Sequence, residues 1–188
     1  MPKDGLPFQE EREAETLHFR RPRSNDGAAV NDLVSRCRPL DENSLYCNLV
    51  QCTHFAGTSV TAERNGELLG FVSGHLLPDH PDALFIWQVA VDETARGQGL
   101  AKRMLGHILS RPALRNVREL HTTITQHNMA SQRLFRSLAK DLGSEFVVSE
   151  YFKEEDHFDG CHESEFLWRV GPFRWADVNN LEIGRPAA

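Results

Sequence analysis

ALFIWQVAVDETARGQGLAKRMLGHIL, residues 83–109, is the stretch on which the fold turns. Ala83 to Val91 is apolar on nearly both faces, the pattern of a central strand covered on both sides. From Leu100 onward, Met104, Leu105, Ile108 and Leu109 join Leu100 in one stripe while Lys102, Arg103 and His107 point elsewhere, as in an amphipathic helix. Arg96, Gly97 and Gly99 stand between the two. A Walker-type phosphate loop needs Lys then Ser or Thr after its second glycine, and a dinucleotide fingerprint needs a third small residue where this chain has Lys102. Neither pattern applies. What remains is a helix start whose first amide hydrogens lack internal partners, glycines that admit a ligand to the backbone, and a preceding arginine. That combination suits a diphosphate. The same spacing also serves a tight strand-to-helix connection with no ligand.

Outward from this stretch the elements are readable in turn. Upstream, TSVTAER and ELLGFVSGHLL flank Asn65-Gly66, which predicts a tight antiparallel hairpin because both positions accept positive φ. LPDHPDA reads as a polar loop before the central strand. Earlier still, LHFRR is a short strand, followed by one helix with Ala29, Val30, Leu33, Val34 and Cys37 on a stripe and another with Leu45, Leu49 and Val50 on a face. Downstream, Pro112 stops the helix and RELHTTIT forms a strand. Asn128 to Leu142 repeats apolar residues every four positions until Gly143, and FVVSEYF and SEFLWRV close the chain as a strand pair. Residues 1–16 are charged and 174–188 lose periodicity, so both read as tails around a single domain, 17–173. One domain is also what 188 residues allow.

A net charge of −6 disfavours a nucleic-acid partner held by phosphate neutralisation. The first residues lack the apolar core of a signal peptide and no segment reaches membrane-spanning length, so a cytoplasmic protein without a membrane partner is expected. Cys37, Cys47, Cys52 and Cys161 include no CxxC pair and match no zinc spacing; reduced thiols and no metal are expected, with metal binding by these cysteines and scattered histidines as the lesser alternative.

Arg96-Gly97-Gln98-Gly99-Leu100-Ala101 resembles the Gln/Arg-x-x-Gly-x-Gly/Ala signature of the GNAT N-acetyltransferase superfamily, placed as that signature should be between a strand and a helix. The resemblance implies an α+β or α/β GNAT fold: a central mixed, mostly antiparallel sheet, flanked by helices on both faces and splayed at an acetyl-CoA site. It implies that the pyrophosphate of acetyl-CoA lies on the amides of this turn, that Val89, Ala90 and Val91 meet the pantetheine arm, and that Asn128 and Ser131 open a second cofactor-contacting segment. Phe135 stands where many members carry a tyrosine that protonates the leaving thiolate, so solvent or another group must serve here. A narrower resemblance runs from Phe19 to Phe173: FRRP, PLDENSLYCNLVQCTHFA, FIWQVAVDETARGQGL, TTITQHNMASQRLFRSLA and CHESEFLWRVGP are similar to the L-2,4-diaminobutyrate acetyltransferases of ectoine biosynthesis. It implies acetyl transfer to the γ-nitrogen of L-2,4-diaminobutyrate, and a homodimer.

An ammonium is not a nucleophile, so such a site must orient a dicationic amino acid, remove a proton and stabilise an oxyanion. Asp41, His162, Glu163 and Glu165 are the candidates to bind the ammonium and take its proton, and a water-mediated route stands beside them. Asn43, Tyr46, Trp87 and Gln88 are the candidate substrate contacts, with cation–π attraction available to Trp87. Each has a plainer alternative: a turn residue for Asp41, packing for Tyr46 and Trp87, a solvated strand start for Glu163 and Glu165. His127, before Asn128, is a candidate contact to cofactor or substrate, with a surface loop histidine as the plainer reading. Another diamine, a polyamine or a protein amine would use the same frame, and Phe135 leaves room for an acetyl-CoA sensor without turnover.

Overall fold

The structure is a computed structural model that describes residues 16–38, 40–178 and 181. Of the two expected tails, residues 1–15, 179–180 and 182–188 lie outside the described residues. Seven strands form one sheet: β1 (His18–Arg20), β2 (Val60–Arg64), β3 (Glu67–Leu77), β4 (His80–Val91), β5 (Glu119–Thr125), β6 (Phe146–Phe152) and β7 (Glu165–Val170), in the order β1-β2-β3-β4-β5-β7-β6. Every neighbouring pair is antiparallel except β4 and β5, which run parallel. The mixed, mostly antiparallel sheet is as expected.

Helices α1 (Gly27–Arg36) and α2 (Leu45–Thr53) belong to one side, where Val30, Leu33 and Val34 pack with Phe71 and Ala90. Helices α3 (Leu100–Leu109) and α4 (Met129–Asp141) belong to the other, where Met104, Leu105, Ile108 and Leu138 pack with Val72, Leu84 and Ile86. A central strand covered on both faces is why 83–91 carries so few polar residues. No helix among the described residues is long and apolar enough to cross a membrane.

Two irregularities of β4 position the site. Leu84 and Ile86 face the α3–α4 side, yet Val89 and Val91 pack on that same side, so the two-residue alternation slips once between them. The slip is a bulge: Gly74 pairs with Ile86 but Ser73 pairs with Gln88, which leaves Trp87 as the extra residue. In addition, β4 and β5 pair only where Ala83, Leu84 and Phe85 meet Glu119, Leu120 and His121. Beyond Phe85 the parallel neighbours part, and a cleft opens in the sheet.

The structure corrects three expectations and adds one element. The polar loop LPDHPDA shrinks to a turn, because β4 begins at His80 and Leu77 pairs with His80; residues 80–82 are exposed, so this hairpin end tolerates polar side chains. The buried face of α2 is Asn48, Gln51 and Cys52, while Leu45 is 48% exposed; Asn48 Nδ2 donates to Asn31 Oδ1 at 3.0 Å, so hydrogen bonding decides the helix's orientation. A short helix, α5 (Glu154–Phe158), lies between β6 and β7, too brief to show a period. Packing also continues past residue 173: α6 (Trp175–Val178) follows, and Val178 and Leu181 are buried in the main core. Two apolar residues in a polar context carry no periodic signal.

Candidate active site

The glycine turn is built from the strand outward. After Val91, Asp92 caps a 3-10 turn over Glu93–Ala95, with its carboxylate accepting from Thr94 N–H at 3.0 Å and pairing with Arg36 at 3.1 Å. Gly97 and Gly99 have φ of 76° and 70°, where a side chain would be strained, and a Cβ on either would meet nothing of the chain within 4 Å. Open space therefore lies over both. The first bond across the α3 start runs from Arg103 N–H to Gly99 O at 3.1 Å, which leaves the amides of Leu100, Ala101 and Lys102 at the free N-terminal end of the helix. Gln98 Nε2 donates to Thr94 O, and Arg96 Nε donates to Val91 O at 3.1 Å, so both side chains brace the turn.

Beside this shelf a cavity of about 850 Å³ runs into the cleft between β4 and β5. Its lining includes Val89, Asn128, Ser131 and Phe135. Asn128 Oδ1 caps α4 by accepting from Ser131 N–H at 3.0 Å, which faces the Ser131 hydroxyl and, one turn on, the Phe135 ring toward the same space. The same lining holds Asp41, Asn43, Trp87, Gln88, His162, Glu163 and Glu165. Trp87 and Gln88, on either side of the register slip of β4, both line it. Asn43 Nδ2 donates to Gln88 Oε1 at 2.7 Å, tying the loop before α2 to the strand.

His162 joins the two halves of the chain across this chamber. A backbone carbonyl only accepts, so the 2.7 Å contact of Nδ1 with Glu163 O fixes a proton on Nδ1. Nε2 faces Asp41 Oδ2 at 3.0 Å. Burial works against a charge on this ring, but the Glu163 carbonyl and the Asp41 carboxylate outweigh it and hold its pKa above the ordinary histidine value. Both neighbours thus favour the protonated form of His162. Ligand atoms of Asp41, His162 and Glu165 lie within 4.8 Å of one another, so the acidic groups converge on one point. Glu163 is more exposed and accepts from His127 Nδ1 at 3.1 Å. Of the candidate bases, Glu165 is half-buried and lines the cavity.

Not every expected residue converges. Tyr46 is 76% exposed and off the cavity, because α2 turns its Asn48–Gln51–Cys52 face inward. The Ala90 side chain is buried against α1, leaving only its backbone for a ligand. The Val91 carbonyl already accepts from Cys37 Sγ at 3.3 Å and from Arg96. Other residues enter that the sequence did not single out. His75 pairs with Phe85 across the sheet, its ring lies 5.2 Å from Phe55 and 5.4 Å from Phe85, and together with Trp87 they form an aromatic wall. Burial depresses the His75 pKa. Tyr151 and Phe152 from β6 line the cavity too. Phe85 shares a strand face with Trp87, a signal that alternation offers; the β6 residues become neighbours only through the sheet order.

A shelf of free amides at a helix start, beside a splayed pair of parallel strands, defines an acyl-transferring GNAT enzyme, and the acetyltransferase (GNAT) family model matches residues 28–139. The chain is 51% identical over 153 residues to the L-2,4-diaminobutyric acid acetyltransferase of Methylotuvimicrobium alcaliphilum, covering 81% of this chain and 89% of that one. It is 47% identical over 152 residues to the enzyme of the same name from Vibrio cholerae, covering 81% and 88%. The solved structure of the diaminobutyrate acetyltransferase from Paenibacillus lautus, in complex with its substrate L-2,4-diaminobutyric acid and coenzyme A, superposes with a TM-score of 0.81 at 38% identity, covering 85% of this chain and 96% of that one. The chain belongs to the L-2,4-diaminobutyric acid acetyltransferase family.

Proposed function

We propose that the protein transfers the acetyl group of acetyl-CoA to the γ-amino group of L-2,4-diaminobutyrate, giving the N4-acetyl compound on the route to ectoine. The observation that carries this is a single cavity whose lining holds Asp41, Glu163 and Glu165 with Trp87 and also Val89, Ser131 and Phe135. The donor fits the residues present, since the space over Gly97 and Gly99 accepts a diphosphate and the cleft beyond Phe85 accepts an extended arm. Acetyl-CoA supplies an activated acyl carbon. The carboxylates bind the cationic amine, Trp87 walls it, and Glu165 takes one proton to free the nitrogen lone pair. The amine attacks in a ternary complex: a C–N bond forms, the C–S bond breaks, the acylated nitrogen gives its remaining extra proton to solvent, and the thiolate leaves. It takes up a proton from solvent or from the Ser131 hydroxyl, which lines the cavity one turn before Phe135. The protein works in the cytoplasm, where its four free cysteines stay reduced, and as a homodimer.

The test is acetyl-CoA-dependent thiol release with L-2,4-diaminobutyrate, ornithine, lysine, spermidine and no acceptor. Turnover at least about a hundredfold faster with L-2,4-diaminobutyrate than with the others is expected. Equal turnover with spermidine would sink the acceptor assignment.

A further inference from the structure

We propose that His121, backed by Glu119, is a second proton acceptor of the chamber, one that takes the proton of each turnover from Glu165 and holds it until the product leaves. This rests on the reaction proposed above, in which Glu165 takes a proton from the ammonium, and His121 acts through Glu165 rather than on the substrate.

The pair lies where the sheet begins to open. On β5, Leu120 and Ile124 pack in the main core, so strand alternation turns Glu119, His121, Thr123 and Thr125 to the opposite face. His121 stands opposite Phe85, at the last step where β4 and β5 pair. Thr125 stands opposite Glu165 on β7. The base and the histidine therefore share one face of the sheet, four residues apart along β5, with Thr123 between them. His121, Thr123, Thr125 and Glu165 all line the cavity. At about 3.3 Å per residue the gap is roughly 13 Å, which the two threonine hydroxyls and water in the cavity divide into hydrogen-bond steps.

The His121 ring is buried, and its Nε2 lies 2.8 Å from Glu119 Oε2. An ionised carboxylate only accepts, so this contact puts a proton on Nε2 and leaves Nδ1 as an acceptor. Among the described residues no group of the chain bonds Nδ1. The Glu119 side chain is 40% exposed, so the pair reaches from the cavity lining to solvent. The charged neighbour of His121 on β7 is Arg169, and beyond Phe85 the titratable one on β3 is His75; Glu119 is the group that bonds the ring. A structural ion pair accounts for the Glu119 contact. It does not account for an acceptor nitrogen without a partner on a residue that lines the cavity.

Proton counting gives the pair its task. An ammonium carries three N–H bonds and the product amide keeps one, so two protons leave the nitrogen; one balances the departing thiolate, and the other stays with Glu165 until something removes it. A protonated Glu165 binds the next dication poorly. Through Thr125, Thr123 and water, the Glu165 O–H bond breaks and an N–H bond forms at His121 Nδ1. The imidazolium so made keeps its Nε2–H bond to Glu119, whose charge stabilises it as the carboxylate of a catalytic triad stabilises its histidine. Once the product has gone, water in the chamber takes the proton from Nδ1, and the first tautomer is regained with no turn of the ring.

Steady-state thiol release with L-2,4-diaminobutyrate, corrected for the no-acceptor blank, tests this in the full chain with His121→Gln and Glu119→Gln, each with and without added imidazole. Glu119→Gln keeps an acceptor for Nε2–H and removes the charge. His121→Gln is expected to lower kcat about tenfold and Glu119→Gln about threefold to tenfold, with both KM values little changed. Imidazole, a diffusible substitute for the lost ring, is expected to restore most of the His121→Gln loss and to leave the unaltered enzyme as it was. A merely structural histidine lowers kcat without rescue, so a loss that imidazole leaves in place overturns the proposal, and so does an unchanged kcat in both variants. Should His121→Gln fail to fold, Glu119→Gln at its half-exposed position decides, and an unchanged kcat there overturns the proposal. An active chain with insensitive variants removes the second acceptor alone. A chain that releases no thiol with L-2,4-diaminobutyrate overturns the reaction, and the second acceptor with it.

Discussion

In the proposed reaction, Glu165 and His162 divide the proton work by their surroundings. His162 has a carbonyl on one nitrogen and a carboxylate facing the other, so it is stabilised as a cation, while Glu165 is left to accept. Glu165→Gln keeps the shape and removes the proposed base; kcat is expected to fall about 10² to 10⁴-fold with KM for acetyl-CoA unchanged, measured by steady-state thiol release. The pairing of His162 with Asp41 makes a pH-dependent clasp. A histidine whose folded pKa is raised contributes stability that is fully present below its unfolded value of about 6.5 and is lost as pH rises through the folded pKa. Asp41→Asn is therefore expected to lower the His162 pKa, read by NMR titration, and to cost stability at acid pH but little above the folded pKa. The opposite order, a larger loss at high pH, would show that the clasp does not hold. Asp41 and Glu165 were legible from residue type, but their convergence on His162 joins positions 121 residues apart and no spacing announces it.

At the scale of elements, the glycine turn is the most local feature of the site. Its strand, its positive-φ glycines and its helix are contiguous, so 83–109 could be read from period and composition alone. Gly99→Val puts a side chain at a φ of 70°, into the space over the α3 start. KM for acetyl-CoA is expected to rise about tenfold or more while KM for the amine holds; an unchanged acetyl-CoA saturation curve would remove the diphosphate from this turn. The bulge at Trp87 is the contrary case. WQVAV alternates plausibly either as a regular strand or as a bulged one, and only the pairing of Ser73 with Gln88 and of Gly74 with Ile86 shows which. Likewise α2 presents a leucine-bearing stripe and yet buries Asn48 and Gln51, since contacts with α1 outweigh local hydropathy.

The whole molecule is one sheet with an opening, and its limits are set by packing. Val178 and Leu181 complete the main core beyond the boundary that periodicity suggests. Val178→Asp is expected to destabilise the protein by about 2–4 kcal/mol in urea unfolding, as a buried unpaired charge does; a change under about 0.5 kcal/mol would return this segment to the status of a tail. What the amino-acid sequence by itself determined was the donor side: the central strand, the glycine turn, the two amphipathic helices after it and the hairpin before it. Each is encoded by neighbours in the chain, where periodicity and backbone preference act directly. The acceptor side was decided only by tertiary structure. Its loop before α2, its bulge, its β6 wall and its His162 clasp come from four distant segments, and the physical reason they meet is the sheet order, which places β7 between β5 and β6 and parts β4 from β5 at Phe85.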